Sequence, residues 1–265
     1  MNSPKIFSHE AYEYIARCRA KGGRGNGAYW YSKEIVDNII PKVETDRNWI
    51  TVNIPGRCYD HSVIFIHNNL NANWYKWLNN YEDLVMVCSL DWAKENMEKV
   101  CPKHKAILLP LSVDVKHVEQ FKTKKTKDVA YAGRLAKLNM GVPEERRAIP
   151  KGIDILGGLE RDDLLKAMAP YKTIYAVGRT AIEAKVLGCK IGIYNALCPE
   201  DIWEVIDNSE AAWILQRKLD KIDGATADRE KKLKDELAQL WEREKEIKRA
   251  LEKLRKEEEL CQSEK

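Results

Sequence analysis

SVIFIH (62–67), DLVMVCS (83–89) and KAILLPLSV (105–113) are short, almost unbroken apolar runs, with polar or amphipathic stretches between them. Runs of this length with so little alternation fit strands covered on both faces. Between them, YWYSKEIVDNIIPKV (29–43) reads as a helix ended by Pro41, and LDWAKENMEKV (90–100) as a second helix. WITVNI (49–54) reads as a strand and NWYKWLNNY (73–81) as a helix or turn. Strands alternating with helices predict βαβ units and a parallel sheet. The beat resumes after residue 127. DVAYAGR (128–134), GIDIL (152–156), TIYAVG (173–178) and KIGIYN (190–195) read as strands. LERDDLLKAMA (159–169), RTAIEAKVLG (179–188), PEDIWEVIDN (199–208) and SEAAWILQRKL (209–219) read as helices.

The polar stretch EQFKTKKTK (119–127) separates the two series. The expected organisation is therefore α/β: a Rossmann-like half over 1–118, a linker over 119–127, and a second Rossmann-like half over 128–224. From 225 to 265 the composition changes to Lys, Glu, Arg and Asp around Leu233, Leu237, Leu240, Ile247, Leu251, Leu254 and Cys261. Steps of three and four predict a long charged helix that either pairs with a second copy as a coiled coil or lies back on the body. Glu244 and Glu258 stand in its apolar seam and weaken it as an autonomous coiled coil.

With 265 residues the chain can bury a real core, and its net charge of +4 is too mild for a dedicated nucleic-acid binder. Its seven cysteines include no CxxC pair, which fits reduced thiols in the cytoplasm rather than a disulfide or zinc framework. No apolar run reaches the roughly 18 residues of a membrane span, and the N-terminus lacks a signal-type apolar core.

The sharpest local signal is VGRTAIEAKVLGCKIGIYN (177–195). A strand ends at Val177, and Gly178, Arg179 and Thr180 open a helix whose free amides and dipole suit a diphosphate. Taken alone, this could be an ordinary βα unit with a surface glutamate at position 183. The stretch resembles the donor-binding region of GT-B glycosyltransferases, and three other segments resemble that family in the same order. LLPLSVDVKHVEQF (108–121) is similar to its interdomain segment, DVAYAGRLAK (128–137) to the strand and Gly-Arg turn that open its donor domain, and ILGGLERDDLLKAMA (155–169) to the unit before the site.

The resemblance implies a metal-independent, hexosyltransferase-like enzyme that moves a sugar from a nucleotide-sugar to an acceptor hydroxyl, with no cofactor beyond that substrate. It implies that Arg134 and Lys137 contact the donor pyrophosphate and that Glu183 accepts hydrogen bonds from the ribose. Two departures stand out. Tyr175 replaces the first glutamate of the pair that many retaining members carry, and the donor half is short.

In the first half, Gly23 and Gly25 of AKGGRGNGAYW (20–30) allow close backbone approach to a ligand. His67 closes a strand, where open α/β sheets bind ligands, and is the candidate base toward the acceptor. Asn68 and Asn69 are candidates for sugar hydroxyls, and Tyr59, Trp74, Trp77 and Tyr81 for a stacking platform. No Asp-x-Asp loop is present, so no catalytic metal is expected. The acceptor stays open: a glycan, a small molecule or, less in keeping with the charge, DNA. The competing reading is a binding or assembly protein that keeps the fold without the chemistry.

Overall fold

The computed structural model of the chain describes residues 4–8, 27–51, 57–66, 72–133, 152–192, 203–224, 241–245 and 247. The two series of apolar runs build two parallel sheets. In the first, β1 (Ile6–Phe7), β2 (Asn48–Ile50), β3 (Ser62–Phe65), β4 (Leu84–Cys88) and β5 (Lys105–Leu108) follow one another in chain order. Every residue of β3 and β4 is buried, as their lack of alternation requires. Ile50, Ile64, Leu84, Met86, Cys88 and Ala106 share one core. It also takes in Tyr75 and Leu78 of a 3-10 helix (Ala72–Asn80) and Ala93 and Met97 of α2 (Asp91–Val100). Elsewhere in this sheet Trp49 and Phe65 stack at 6.2 Å, and Tyr31 of α1 (Gly27–Glu34) meets Phe65 edge-on at 6.4 Å.

The helix read over 29–43 changes pitch along its length. Regular α1 stops at Glu34, a wider π turn covers Ile35–Ile39, and a 3-10 turn covers Ile40–Lys42. Pro41 has no amide to return to Asp37 and its ring crowds that carbonyl, so an α-helix cannot run through it.

The second sheet holds β6 (Lys127–Ala132), β7 (Asp154–Leu156), β8 (Tyr171–Tyr175) and β9 (Lys190–Gly192), in the order β7-β6-β8-β9 and all parallel. Further helices among the described residues are α3 (Val115–Glu119), α4 (Arg161–Met168), α5 (Arg179–Val186) and α6 (Asn208–Asp223). α4 joins β7 to β8 and α5 joins β8 to β9; their Leu165, Met168, Ile182 and Val186 pack with Ala130, Ile174 and Ile191.

Val113 and Val118, assigned by sequence to the end of the first half, are buried in this second core, and Val113 forms a parallel bridge with Asp207. In the lysine-rich linker, Lys125 donates to the carbonyls of Ala169 and Leu187 at 2.8 and 2.9 Å. These carbonyls close α4 and α5, where a cation is favoured by both helix dipoles. The helix expected over 199–208 is corrected where it is described: Trp203–Ile206 are not helical, and α6 begins only at Asn208.

Residues 241–245 and 247 of the charged tail are helical, and the rest of its heptad pattern lies outside the described residues. Among the described residues no helix is long and apolar enough to cross a membrane. Cys58, Cys88, Cys101 and Cys189 are free thiols, and burial pushes the Cys88 thiol up to about 12.

Candidate functional site

The order of the second sheet dictates where a ligand can enter. The chain leaves β6 to one side to form β7, then returns to form β8 on the other side of β6. This reversal is a topological switch point, and open α/β sheets bind ligands beyond the carboxyl ends of the strands that flank it. Tyr131 of β6 is paired with Tyr175 of β8. The loops that leave at Gly133 and at Val177–Gly178 therefore start side by side. Gly133 and Gly178, 45 residues apart in sequence, thus stand just beyond neighbouring strand ends.

Gly178 stands at φ 63° and ψ −140°, a conformation open to glycine and strained for any residue with a Cβ. It turns the chain sharply from β8 into α5. The first bond inside that helix runs from the Ala181 amide to the Gly178 carbonyl at 3.0 Å. The amides of Arg179 and Thr180 precede it and point off the positive end of the helix.

Around this turn sits a buried polar cluster. Glu34, the last residue of α1, is 4% exposed and accepts four hydrogen bonds. Its Oε2 receives Arg161 Nη1 at 2.5 Å and Arg179 Nη2 at 3.1 Å. Its Oε1 receives Asn208 Nδ2 at 2.5 Å and Asn38 Nδ2 at 3.2 Å. Burial alone would raise its pKa, but Arg179, Arg161 and the Asn208 amide outweigh that and hold it below the ordinary carboxylate value. Arg161 Nε and Arg179 Nη2 also reach Glu183 Oε1, at 3.1 and 3.2 Å. Arg179 Nη1 donates to the Trp30 carbonyl at 2.9 Å, and Ser112 Oγ donates to Asn208 Oδ1 at 2.8 Å.

The cluster joins α1, beside the first sheet, to the starts of α4, α5 and α6. Two further contacts tie the same parts: Lys42 Nζ donates to Ser209 Oγ at 2.9 Å, and Gln216 Oε1 receives the Glu44 amide at 2.6 Å.

Gly178, Arg179, Thr180 and Glu183 are thus gathered at one turn beside the switch point. Glu183 is 4% exposed and is held by two guanidinium groups rather than lying at the surface. Arg134, Lys137, His67, Asn68, Asn69, Gly23 and Gly25 lie outside the described residues. Tyr175 faces Gly192, and a Cβ built there would come within 2.5 Å of the ring. Trp74 is 56% exposed. Trp77 and Tyr81 instead meet edge-on at 6.0 Å, and with Tyr59 they pack against the first core.

Glu34, Arg161, Asn208 and Ser112 escaped the sequence reading. A signal for Arg161 is present: it opens a helix after a strand and a Gly157-Gly158 turn, just as Arg179 does after Gly178. Among the described residues no group of three or more His, Cys, Asp or Glu is arranged to hold a metal ion. Comparison of the chain with family models, with curated proteins and with solved structures returns no match.

Proposed function

We propose that the chain is a glycosyltransferase of GT-B type that takes its sugar from a nucleotide-sugar. The observation that carries this reading is the pairing of β6 with β8, which starts the Gly133 and Gly178 loops side by side at a switch point. In the proposed reaction the donor diphosphate lies against the amides of Arg179 and Thr180. Arg179, with Arg134 and Lys137 of the segment that follows Gly133 in sequence, offsets the negative charge that grows on the leaving diphosphate. Glu183 accepts the ribose hydroxyls with acceptor capacity beyond the two bonds it already takes from the arginines. His67, Asn68 and Asn69 stand on the acceptor side. A cytoplasmic location and pairing of copies through the charged tail belong to the same proposal and rest on sequence pattern alone.

Incubation of the full chain with a panel of UDP- and GDP-sugars tests it. Release of nucleoside diphosphate that falls at least about tenfold in Arg179→Ala supports transfer chemistry, as expected when one transition-state donor is lost. Absence of turnover across the panel removes it.

One observation favours a second reading, a nucleotide-binding or assembly protein without transferase activity. Arg161 and Arg179 are each charge-paired with both Glu34 and Glu183, so the cluster is close to neutral as it stands. Nucleotide binding without turnover would select that reading.

A further inference from the structure

We propose that Arg161 and Arg179 form a two-arginine anion site, and that the Glu34 carboxylate occupies it as an internal anion until a diphosphate displaces it. This deepens the reading above by naming a regulation of the same site. A single oxygen, Glu34 Oε2, bridges the two guanidinium groups, as a phosphate oxygen would. The arginines also offer more donors than the cluster uses: Arg161 Nη2 and Arg179 Nε are buried and have no hydrogen-bond partner among the described residues. Buried guanidinium N–H groups left unpaired are costly, and a ligand with more acceptor oxygens than a carboxylate would satisfy them.

Charge gives the mechanism its direction. With Glu34 and Glu183 both in place, two positive groups face two negative ones, and an incoming dianion meets no net attraction. Glu34 comes from a different part of the chain than the other three, from α1 beside the first sheet. It also stands immediately before the π turn Ile35–Ile39, where the helix has already left regular hydrogen bonding. Withdrawal of Glu34 uncovers the arginines and at the same time removes its bonds to α4, α5 and α6, leaving the Arg179–Trp30 bond as the remaining tie from α5 to α1 in this cluster. Anion binding and loosening of this contact are therefore one event. Arg161, which no sequence motif assigned, becomes a second cation for the diphosphate.

Calorimetric titration of the full chain with inorganic pyrophosphate tests this, with Glu34→Gln as the main variant. The amide keeps the shape and removes the competing charge. Glu34→Gln is expected to bind pyrophosphate at least about fivefold tighter than the unaltered chain, the lower end of ordinary coupling between sites. Adding Arg161→Met is expected to abolish the gain. A folded Glu34→Gln protein with equal or weaker affinity overturns the proposal, as does absence of pyrophosphate binding by both.

Should the variant not fold, amide exchange of the unaltered chain over Ile35–Ile39 decides. Faster exchange in saturating pyrophosphate supports displacement, and unchanged or slower exchange overturns it. The two readings fail differently. Equal binding of a nucleoside diphosphate by both proteins defeats the internal anion and leaves nucleotide recognition standing. A pyrophosphate gain with no preference for nucleoside diphosphates does the reverse.

Discussion

Glu34 Oε2 and Arg179 Nη2 lie 3.1 Å apart although 145 residues separate them in the chain, and this contact ties the helix beside the first sheet to the turn that follows β8. Glu34 is a charged group with almost no access to water, so its stability rests on its partners. Burying such a carboxylate alone would cost several kcal/mol.

Arg161→Met is therefore expected to destabilise the chain by about 3–5 kcal/mol, the usual cost of removing one member of a buried ion network. Urea unfolding followed by circular dichroism measures it. A loss below about 1 kcal/mol, the value of an exposed pair, would mean that the cluster is open to solvent.

Two histidines of the first sheet are expected to respond to pH in opposite senses. His61 lies between Asp83 at 2.5 Å and Asp46 at 3.0 Å. Burial lowers its pKa, but the bonds to Asp83 and Asp46 outweigh that and raise it. Its contribution is fully present below the unfolded value of about 6.5 and disappears as pH rises through the higher folded value. His61 sits at φ 52°, which asparagine tolerates, so His61→Asn isolates the charge. The gap in urea midpoint between the unaltered chain and His61→Asn is expected to shrink as pH rises above about 6.5. A gap that stays constant with pH would contradict the pairing.

His104 is buried and neutral. Its Nδ1 accepts the Leu84 amide at 3.4 Å and its Nε2 lies 3.0 Å from the Leu78 carbonyl. Burial pushes its pKa down, so stability is expected to fall as pH drops below about 6.5 and the unfolded chain takes up the proton more readily. His104→Gln should flatten that acid limb in the same urea titrations. An unchanged limb would place the acid sensitivity elsewhere.

Gly192 is expected to tolerate no side chain. A Cβ there would meet the Tyr175 ring at 2.5 Å, and Gly192→Ala should cost about 1–3 kcal/mol by overpacking. Adding Tyr175→Ala should recover part of that loss in the double variant. Full additivity of the two changes would show that the ring and the glycine do not touch.

The sheets were legible because an apolar run such as LVMVC is explained by burial on both faces, whatever its partners are. The Gly178 turn and α5 were legible because a glycine between strand and helix is a local, conformational requirement. The polar cluster was not legible, because apart from two contacts four positions apart its bonds join residues 22 to 174 positions apart, and a charged residue in a helix looks the same whether it faces water or a buried arginine. The place of Val113 and Val118 in the second core was not legible for a related reason: an apolar run carries no mark of which core it enters. The repetition of strand, glycine turn and arginine at 157–161 and 178–179 was the one trace of the second cation in the sequence.

The central claim is that the switch point between β6 and β8 holds the diphosphate of a nucleotide. Thermal unfolding of the unaltered chain and of Gly178→Ala with saturating UDP, GDP, ADP and CMP tests it most directly. The account predicts that at least one nucleoside diphosphate raises the unfolding temperature of the unaltered chain more than CMP does, and that Gly178→Ala loses that rise. No shift with any of the four, or an equal shift in the Gly178→Ala protein, would contradict it.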